Sequence, residues 1–467
     1  MQCRINFGTD GWRSKLDGDF TPENVARVAD AIARYLQETR RADRGVFIGY
    51  DGRGTSRGLA ETCVSVLASA GVECFMPPSP VPTPVAAFSA VRYSLAGSIM
   101  ITASHNPPEY NGIKFIPHYG GPAMPEITRR IEQLIPQDPP RSIRTRSGKT
   151  PVIELNPLED YLRHLSGILK SGLSGVRVIV DPMYGATSGF SREVLEHLGA
   201  TVESIRDRAA PDLGGLIPDP IPENLGELRS RVLSSNCDLG IAFDGDGDRL
   251  TAVTSSGVFL MVNQLLPLLY IHLLERRSIR GDVARTVATS HLVDRVAASH
   301  GQRTIEVPVG FKYIGELLMR KEVVIGGEES GGMSFGLHIP EKDGVASAAM
   351  LMESIKSSGL PLGEMYDRLQ ADYGRFFSGR IDLRGELRGD PIGSVEAALR
   401  DKGELLGKVI QSVDRKDGIK ILLGDGSWIL FRKSGTEDVV RVYAESSEKA
   451  FTQSLLDYGR SLVSSFI

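Results

Sequence analysis

The chain has 467 residues, of which 24% are charged and 41% are hydrophobic, and its formal net charge is −4. These values are those of an ordinary globular protein and exclude a disordered or fibrous chain, and the lack of a long basic run argues against a nucleic-acid surface. A chain of this length holds three or four domains, and we expect its partner to be a small molecule.

The cysteines and the apolar segments predict a cytoplasmic protein. Four cysteines without a CxxC pair indicate a reducing compartment, and the N-terminal residues lack the apolar core of a signal peptide. The longest apolar stretch, residues 259–274, is interrupted by polar residues and by Pro267 and is short for a membrane span. It therefore predicts a buried helix.

The first elements alternate between helix and strand. Apolar residues recur at helical spacing from Val25 to Leu36, behind an expected N-cap at Thr21. Residues 45–51 then predict a strand and residues 56–71 a helix, after which a further strand follows. This βαβ alternation predicts a sheet with parallel strands.

The same alternation returns twice, at residues 175–199 and at residues 282–301, whereas short strands and a last helix follow residue 372. A segment rich in proline and charge, residues 136–151, predicts the first boundary. The fold class is therefore α/β, with three similar α/β domains in series and a C-terminal α+β domain. The expected bounds are 1–150, 151–255, 256–370 and 371–467.

Polar or glycine-rich loops follow four of the predicted strands, at "YDGRG", "DPMYG", "DGDGDR" and "GGEESGG". Ligands bind outside the carboxyl ends of strands in open α/β sheets. We therefore expect these loops to line one cleft.

Asp244, Asp246 and Asp248 alternate with glycines directly after an apolar run. Three carboxylates this close repel one another unless a hard cation neutralises them, and oxygen ligands suit Mg²⁺. A calcium loop of the EF-hand type is excluded, because its sixth and twelfth positions are Arg249 and Ser255. The alternative is a solvated acidic turn without a metal.

Two further loops have the composition of ligand sites. Ser434, Gly435 and Thr436 form a turn that can cradle an anion, and Arg432 and Arg441 flank it. Without the two arginines, an ordinary turn would be the preferred interpretation.

The loop "GGEESGG" places Glu328, Glu329 and Ser330 between glycine pairs, where their oxygens suit the hydroxyls of a sugar. A solvated turn with no ligand is an equally good interpretation of this loop taken alone.

Ser104 lies in "ITASHNPPEYNGIKF", and no GxSxG elbow surrounds it, which disfavours an acyl-transfer hydrolase. Phosphoryl transfer fits better, because a phosphate on this serine would complete the coordination of a three-aspartate Mg²⁺ site. Lys114 can move protons if its surroundings lower its pKa. His105 is either a hydrogen-bonding residue behind the serine or a structural residue of the loop.

Five motifs, taken together and in chain order, resemble the α-D-phosphohexomutase superfamily, which contains the phosphoglucomutases and phosphomannomutases. The motifs are "FGTDGWR", "TASHNPPEYNGIK", "DGDGDR", "GEESGG" and "RKSGTEDVVRVYAE". The resemblance covers the whole chain. It implies a heart-shaped molecule of four domains, each of which gives one loop to a central cleft, with the last domain as a lid.

The resemblance also implies roles for the residues of the reactive end. Ser104 would be a phosphoserine that completes the Mg²⁺ site, and Lys114 would be the general acid/base. Arg13 and Arg249 would steady the phosphoryl group that is transferred.

At the other end of the cleft, the resemblance implies that Glu328 and Ser330 hold sugar hydroxyls. Thr289 and Lys312 resemble substrate contacts. The phosphate that does not react would be held by Arg432, Ser434, Gly435, Thr436 and Arg441.

In such enzymes the phosphoserine converts a sugar monophosphate to a 1,6-bisphosphate, which turns round and returns its other phosphate. The "GEES" loop and "VGFKYIGELL" favour glucose, with glucose 1,6-bisphosphate as activator and intermediate, and the expected assembly is a monomer or homodimer. Because "SGTE" resembles the phosphoglucosamine mutases, glucosamine and mannose phosphates remain alternatives. Two other classes are an aspartyl-phosphate enzyme with Asp244 as nucleophile, disfavoured by Asp248, and a non-catalytic sugar-phosphate-binding protein.

Overall fold

The computed structural model describes residues 5–8, 10–140, 152–385, 389–400, 402–434 and 439–464. Within these ranges the chain forms four sheets in succession, three of them mixed and the last one antiparallel. This arrangement confirms the expected series of three α/β units followed by an α+β unit.

The first sheet has the strand order β1-β5-β4-β2-β3-β6, in which β4, β2, β3 and β6 are parallel and β5 pairs antiparallel with both β4 and β1. The predicted N-cap of the first helix is confirmed, because the hydroxyl of Thr21 accepts from the backbone N–H of Asn24 at 3.3 Å. The elements of this unit are β1 (Trp12–Lys15), α1 (Pro22–Glu38), β2 (Val46–Tyr50), α2 (Ser56–Ser69), β3 (Cys74–Met76), α3 (Thr83–Arg92), β4 (Gly97–Ile101), β5 (Tyr110–Pro117), α4 (Pro125–Leu134) and β6 (Ile153–Glu154).

The second sheet has the order β11-β10-β9-β7-β8, with β9, β7 and β8 parallel. Its antiparallel pair β9–β10 brackets the "DGDGDR" loop. The elements are α5 (Leu158–Ile168), β7 (Arg177–Asp181), α6 (Phe190–His197), β8 (Thr201–Ser204), α7 (Gly226–Ser234), β9 (Leu239–Phe243), β10 (Leu250–Thr254) and β11 (Phe259–Leu260).

The third sheet has the order β13-β12-β14-β15, and only β15 is antiparallel to its neighbour. The apolar stretch 259–274 contains a buried helix, α8, as predicted; Pro267 lies inside it and a π-helical turn, His272–Arg276, follows it. The elements are α8 (Val262–Ile271), β12 (Asp282–Thr286), α9 (Leu292–Ser299), β13 (Thr304–Val307), α10 (Phe311–Met319), β14 (Val323–Gly327), β15 (Met333–Phe335), α11 (Gly344–Ser358) and α12 (Leu362–Tyr373).

The fourth sheet is antiparallel throughout, with the order β16-β21-β20-β19-β18-β17. Its elements are β16 (Phe377–Arg384), α13 (Pro391–Leu399), β17 (Glu404–Leu405), β18 (Lys408–Asp414), β19 (Ile419–Leu423), β20 (Trp428–Lys433), β21 (Val439–Ser446) and α14 (Lys449–Ser464).

Apolar packing joins the units. One continuous core reaches from Phe47 in the first sheet to Leu369 in α12. A smaller cluster joins Val287, at the end of β12, to Trp428 and Tyr443 of the fourth sheet. Among the described helices, none combines the length and the hydropathy needed to cross a bilayer.

Candidate active site

The turn between β4 and β5 carries Ser104, whose side chain is fully buried. Its φ of 51° lies in the left-handed region, which costs a non-glycine residue about 1–3 kcal/mol. The Ser104 hydroxyl donates to Oδ2 of Asp244 at 2.7 Å. The serine loop of the first unit and the acidic loop of the second unit therefore meet at this atom.

A buried arginine that the sequence analysis did not identify holds the serine loop in place. The Arg53 side chain is 1% exposed and pairs with Asp51 through Nε at 3.1 Å. Its two terminal nitrogens donate at 2.7–3.1 Å to the backbone carbonyls of Ser104, Asn106, Pro107 and Tyr110. One guanidinium thus satisfies four carbonyls of a loop that forms no regular structure.

Replacing Arg53 by methionine is expected to destabilise the protein by about 3–5 kcal/mol, because it removes the guanidinium donors of four carbonyls and breaks the buried ion pair with Asp51. Activity should also fall, since the loop no longer fixes Ser104. Chemical denaturation followed by circular dichroism measures the first effect. Arg57→Met is the matched control, because Arg57 is 64% exposed and pairs only with Glu61. Equal stability of the two variants would contradict this account of the loop.

The three aspartates of the acidic loop fit a divalent cation. Ligand atoms of Asp244, Asp246 and Asp248 all lie within 4.8 Å of one another, and the side chains are at most 1% exposed. Oδ1 of Asp246 and Oδ1 of Asp248 are buried and accept no hydrogen bond from the described part of the chain. Burial, followed by the charges of its two neighbours, raises the pKa of Asp244 well above its usual range. A bound Mg²⁺ would give these two oxygen atoms a partner and would relieve the repulsion among the three carboxylates.

The glycines between the aspartates are required by the close approach of the two loops. A Cβ on Gly245 would overlap the carbonyl oxygen of Ser104. Gly247 has a φ of +73°, a backbone conformation that residues with a side chain rarely adopt. The alternation of aspartate and glycine therefore serves the packing of the loop as well as its ligands.

Lys114, on β5, lies inside the acidic cluster. Its Nζ is 2.7 Å from Oδ2 of Asp10, 2.8 Å from Oδ2 of Asp246 and 3.3 Å from Oδ2 of Asp248. Burial lowers the pKa of Lys114, but these three carboxylates outweigh it and raise the pKa above its ordinary value. The lowered pKa on which the proton-transfer hypothesis depended is therefore not found, and this lysine stands in the structure as an ammonium group.

A second lysine, which the sequence analysis missed, lies beside the first. Lys342 is 3% exposed, and its Nζ is 3.1 Å from Oδ2 of Asp248, 3.5 Å from Oδ2 of Asp10 and 3.9 Å from Oε1 of Glu328. The sequence did offer a signal for Asp10, which contacts both lysines, because Asp10 belongs to the quoted "FGTDGWR" motif. Lys342 follows β15 in "EKDG", where no pattern of spacing distinguishes it from a solvated charge.

Two predicted arginines and the histidine surround Ser104. Arg13 donates from Nη1 to Oδ1 of Asn106 at 3.0 Å, and the backbone N–H of Arg249 donates to Oδ1 of Asp244 at 3.1 Å. Nδ1 of His105 is 3.4 Å from the Ser104 hydroxyl. Burial, followed by the charges of Arg249 and Arg13, lowers the pKa of His105, so the imidazole is neutral.

The predicted sugar loop lies next to the acidic loop. Glu328 is 6% exposed, and residues Arg249 and Gly332 form a β-bridge that fixes the loop containing Ser330 against the end of the acidic loop. Thr289 is buried, and its hydroxyl is 2.9 Å from that of Thr286.

The hydroxyl of Thr286 in turn donates to Oε2 of Glu329 at 3.3 Å. Lys312, at the start of α10, has its pKa lowered by burial, which the carboxylates of Asp10 and Asp417 oppose. The lysine thus faces both the acidic cluster and the fourth unit.

Part of the predicted phosphate loop is described. Nε of Arg432 donates to Oδ2 of Asp417 at 2.8 Å, and the backbone N–H of Ser434 donates to the carbonyl of Val439 at 2.8 Å. Nε of Arg441 lies 3.7 Å from Oδ2 of Asp382. Gly435 and Thr436 lie outside the described residues.

A buried serine at an acidic metal site, together with basic side chains on facing loops, defines an enzyme of phosphoryl transfer. Four models of the phosphoglucomutase/phosphomannomutase family match the chain: the alpha/beta/alpha domains I, II and III at residues 4–141, 159–257 and 262–373, and the C-terminal domain at residues 392–458. The chain belongs to this family, within the α-D-phosphohexomutase superfamily, as the sequence motifs predicted. It is therefore an intramolecular phosphotransferase of the hexose phosphate mutase class, and the family is magnesium-dependent.

Three known proteins illustrate the similarity. The chain is 31% identical over 447 residues to the "probable phosphoglucosamine mutase" of Methanopyrus kandleri, an alignment that covers 95% of each chain. It is 28% identical over 459 residues to the phosphoglucomutase/phosphomannomutase of Thermococcus kodakarensis, and this alignment covers 98% of each chain. The crystal structure of a "putative phosphomannomutase" from Thermus thermophilus superposes with a TM-score of 0.88 at 33% identity and covers 99% of this chain and 100% of that one.

Proposed function

We propose that the protein interconverts a hexose 1-phosphate and a hexose 6-phosphate through a phosphoserine at position 104 and a sugar 1,6-bisphosphate. The observation that carries this proposal is the 2.7 Å contact between the Ser104 hydroxyl and Asp244, inside a buried cluster of three aspartates. A serine oxygen in this place can carry a phosphoryl group and can share a cation with the carboxylates.

The reactive end would work as follows. Ser104, Asp244, Asp246 and Asp248 would hold Mg²⁺, which supplies charge stabilisation for the transferred phosphoryl group. The guanidinium groups of Arg13 and Arg249 would bind the same group and orient it.

Lys114 enters the reaction with its proton in place, because Asp10 and two metal-site aspartates hold it as an ammonium. It would pass its proton to the oxygen that leaves phosphorus and take up the proton of the hydroxyl that attacks, so that Lys114 ends each transfer protonated. Lys342, whose Nζ is 3.9 Å from Oε1 of Glu328, would contact the sugar beside that carboxylate.

The passive end would bind the phosphate that does not react. Arg432, Arg441 and Ser434 would hold it together with Gly435 and Thr436. Glu328 and Ser330 would accept from sugar hydroxyls, and Thr289 and Lys312 would complete the contacts. A hexose bisphosphate has one phosphate at each end. Its reversal in the cleft therefore requires two phosphate sites, the reactive one and the passive one.

For the sugar, we propose glucosamine ahead of mannose, and both ahead of glucose. Relatives named phosphoglucosamine mutase and a similar structure named putative phosphomannomutase support these two alternatives over the glucose expected from the "GEES" loop. The loop itself is compatible with this order, because Glu328 and Glu329 offer two carboxylates to the protonated 2-amino group of glucosamine.

The sugar is tested by kcat/KM for glucosamine 1-phosphate, mannose 1-phosphate and glucose 1-phosphate, all with added bisphosphate. We expect the highest value for glucosamine. Glu329→Gln should lower that value about tenfold and change the value for mannose little, because only glucosamine carries an ammonium group. The exposed Glu364→Gln on α12 is the control, since its carboxylate pairs only with Arg368. Equal losses for both sugars would contradict the role of Glu329.

The remaining expectations are proposals of the same kind. We propose domain boundaries near residues 150, 255 and 370, a cytoplasmic location, a monomer or homodimer, and glucose 1,6-bisphosphate as activator. The pairing of β6, Ile153–Glu154, with β3 supports a first boundary slightly beyond residue 150. Size-exclusion chromatography with light scattering measures the assembly.

A further inference from the structure

One face of the fourth sheet carries a charged row beside the proposed site of the passive phosphate. Arg380 on β16 lies opposite Tyr443 of β21, and Asp382 lies opposite Arg441. Nε of Arg380 is 2.9 Å from Oδ1 of Asp382, whose Oδ2 is 3.7 Å from Nε of Arg441. A single carboxylate therefore lies between two arginines, only one of which belongs to the proposed phosphate loop.

The hydroxyl of Tyr443 is the second feature of this row. The residue is 2% exposed, and its hydroxyl has no hydrogen-bond partner among the described residues. Burial and the charge of Glu329 raise the pKa of Tyr443, while Arg380, Arg441 and Arg432 oppose this. A buried donor among three guanidinium groups is a position at which an anion would be stabilised.

The side chain of Arg380 is accessible to a ligand. It is 42% exposed, whereas its partner Asp382 is 22% exposed. A surface ion pair of this kind contributes little to stability, so a phosphate dianion can replace the carboxylate. The planar guanidinium offers two parallel donors to a phosphate.

We propose that Arg380 and the Tyr443 hydroxyl form a third anion-binding position, which holds one phosphoryl group of the sugar 1,6-bisphosphate while this intermediate reverses its orientation. The proposal rests on the mutase function proposed above. During reversal each phosphate leaves one end of the cleft before it reaches the other. A cation beside Arg441 retains the intermediate at that stage, because the intermediate then stays bound to the protein through one phosphate throughout.

The test compares Arg380→Gln with the wild type in an assay of hexose 1-phosphate conversion at increasing glucose 1,6-bisphosphate. Arg415→Gln is the matched control, because Arg415 is in the same unit, is 60% exposed and pairs only with Glu396. The bisphosphate released per turnover is measured in the same samples. Isothermal titration of glucose 1,6-bisphosphate and of glucose 1-phosphate gives the two affinities without turnover.

We expect Arg380→Gln to need about tenfold more bisphosphate for half-maximal activity, to release more of it, and to regain most of its activity when bisphosphate saturates. Its affinity for the monophosphate should be unchanged. An unchanged bisphosphate requirement, or a loss that no bisphosphate restores, would overturn the third position. Failure of the wild type to convert any hexose monophosphate would instead overturn the mutase function, so the two failures are distinct.

Discussion

Ser104→Ala is expected to lower mutase turnover by about 10⁴-fold or more, because the proposed mechanism routes every phosphoryl group through this oxygen. The loss should appear in kcat at saturating substrate, since the sugar and phosphate contacts lie on other loops. Coupled spectrophotometric detection of hexose 6-phosphate measures it over this range.

The fold should survive this substitution. The Ser104 hydroxyl contacts Asp244 and, at 3.4 Å, His105, while the loop itself is fixed through backbone carbonyls by Arg53. Ser89→Ala is the control, because it removes a buried hydroxyl that donates only within α3, to Val85 at 2.8 Å. A Ser104→Ala enzyme with wild-type turnover would exclude the phosphoserine mechanism and leave a binding protein or an aspartyl-phosphate enzyme.

Asp244→Asn is expected to abolish the response of the protein to Mg²⁺. In the wild type, Mg²⁺ at about 100 times its dissociation constant adds about 3 kcal/mol of stability by mass action, which a rise in melting temperature reports. The variant should show little such rise and about 10³-fold lower turnover. Without Mg²⁺ it should melt above the wild type, because one of three repelling carboxylates is gone.

The exposed Asp367→Asn on α12 is the control for the loss of one negative charge, and it should behave as the wild type in both respects. Differential scanning fluorimetry with Mg²⁺ and with a chelator measures both effects. A wild type whose melting temperature does not respond to Mg²⁺ would show that the aspartates form a structural turn and no metal site.

The sequence predicted those features that depend on local pattern. The helix from Pro22 to Glu38 has its cap at Thr21 because an apolar period and a capping residue are both local, and the α+β character of the fourth unit follows from its short strand-like runs and its last helix. The three aspartates were found because their spacing of two residues after a buried strand is itself a signal. The family motifs then joined loops that are far apart in the chain.

The residues that were missed act through tertiary contacts. Arg53 stabilises a loop about fifty residues away, and no pattern in "YDGRG" predicts which carbonyls it meets. Lys342 becomes part of the site only because α11 begins beside the acidic loop, where the backbone N–H of Gly344 donates to the carbonyl of Gly247 at 3.1 Å. The raised pKa of Lys114 has the same origin, since it depends on carboxylates from two other loops.

The choice of sugar depends on still finer geometry. Glucose, mannose and glucosamine differ only at carbon 2, and the two glutamates of the "GEES" loop can accept from any of them. A discrimination of tenfold corresponds to about 1.4 kcal/mol, the scale of a single hydrogen bond. A sequence motif does not resolve such a difference, whereas a comparison of rates does.

The most direct test of the account is the intact mass of the purified protein, with peptide mapping, before and after addition of glucose 1,6-bisphosphate and Mg²⁺. We predict one phosphate on the peptide that contains Ser104, and its removal when a hexose monophosphate is added. No phosphate on Ser104 under these conditions, or a phosphate on Asp244 in its place, would contradict the phosphoserine mechanism.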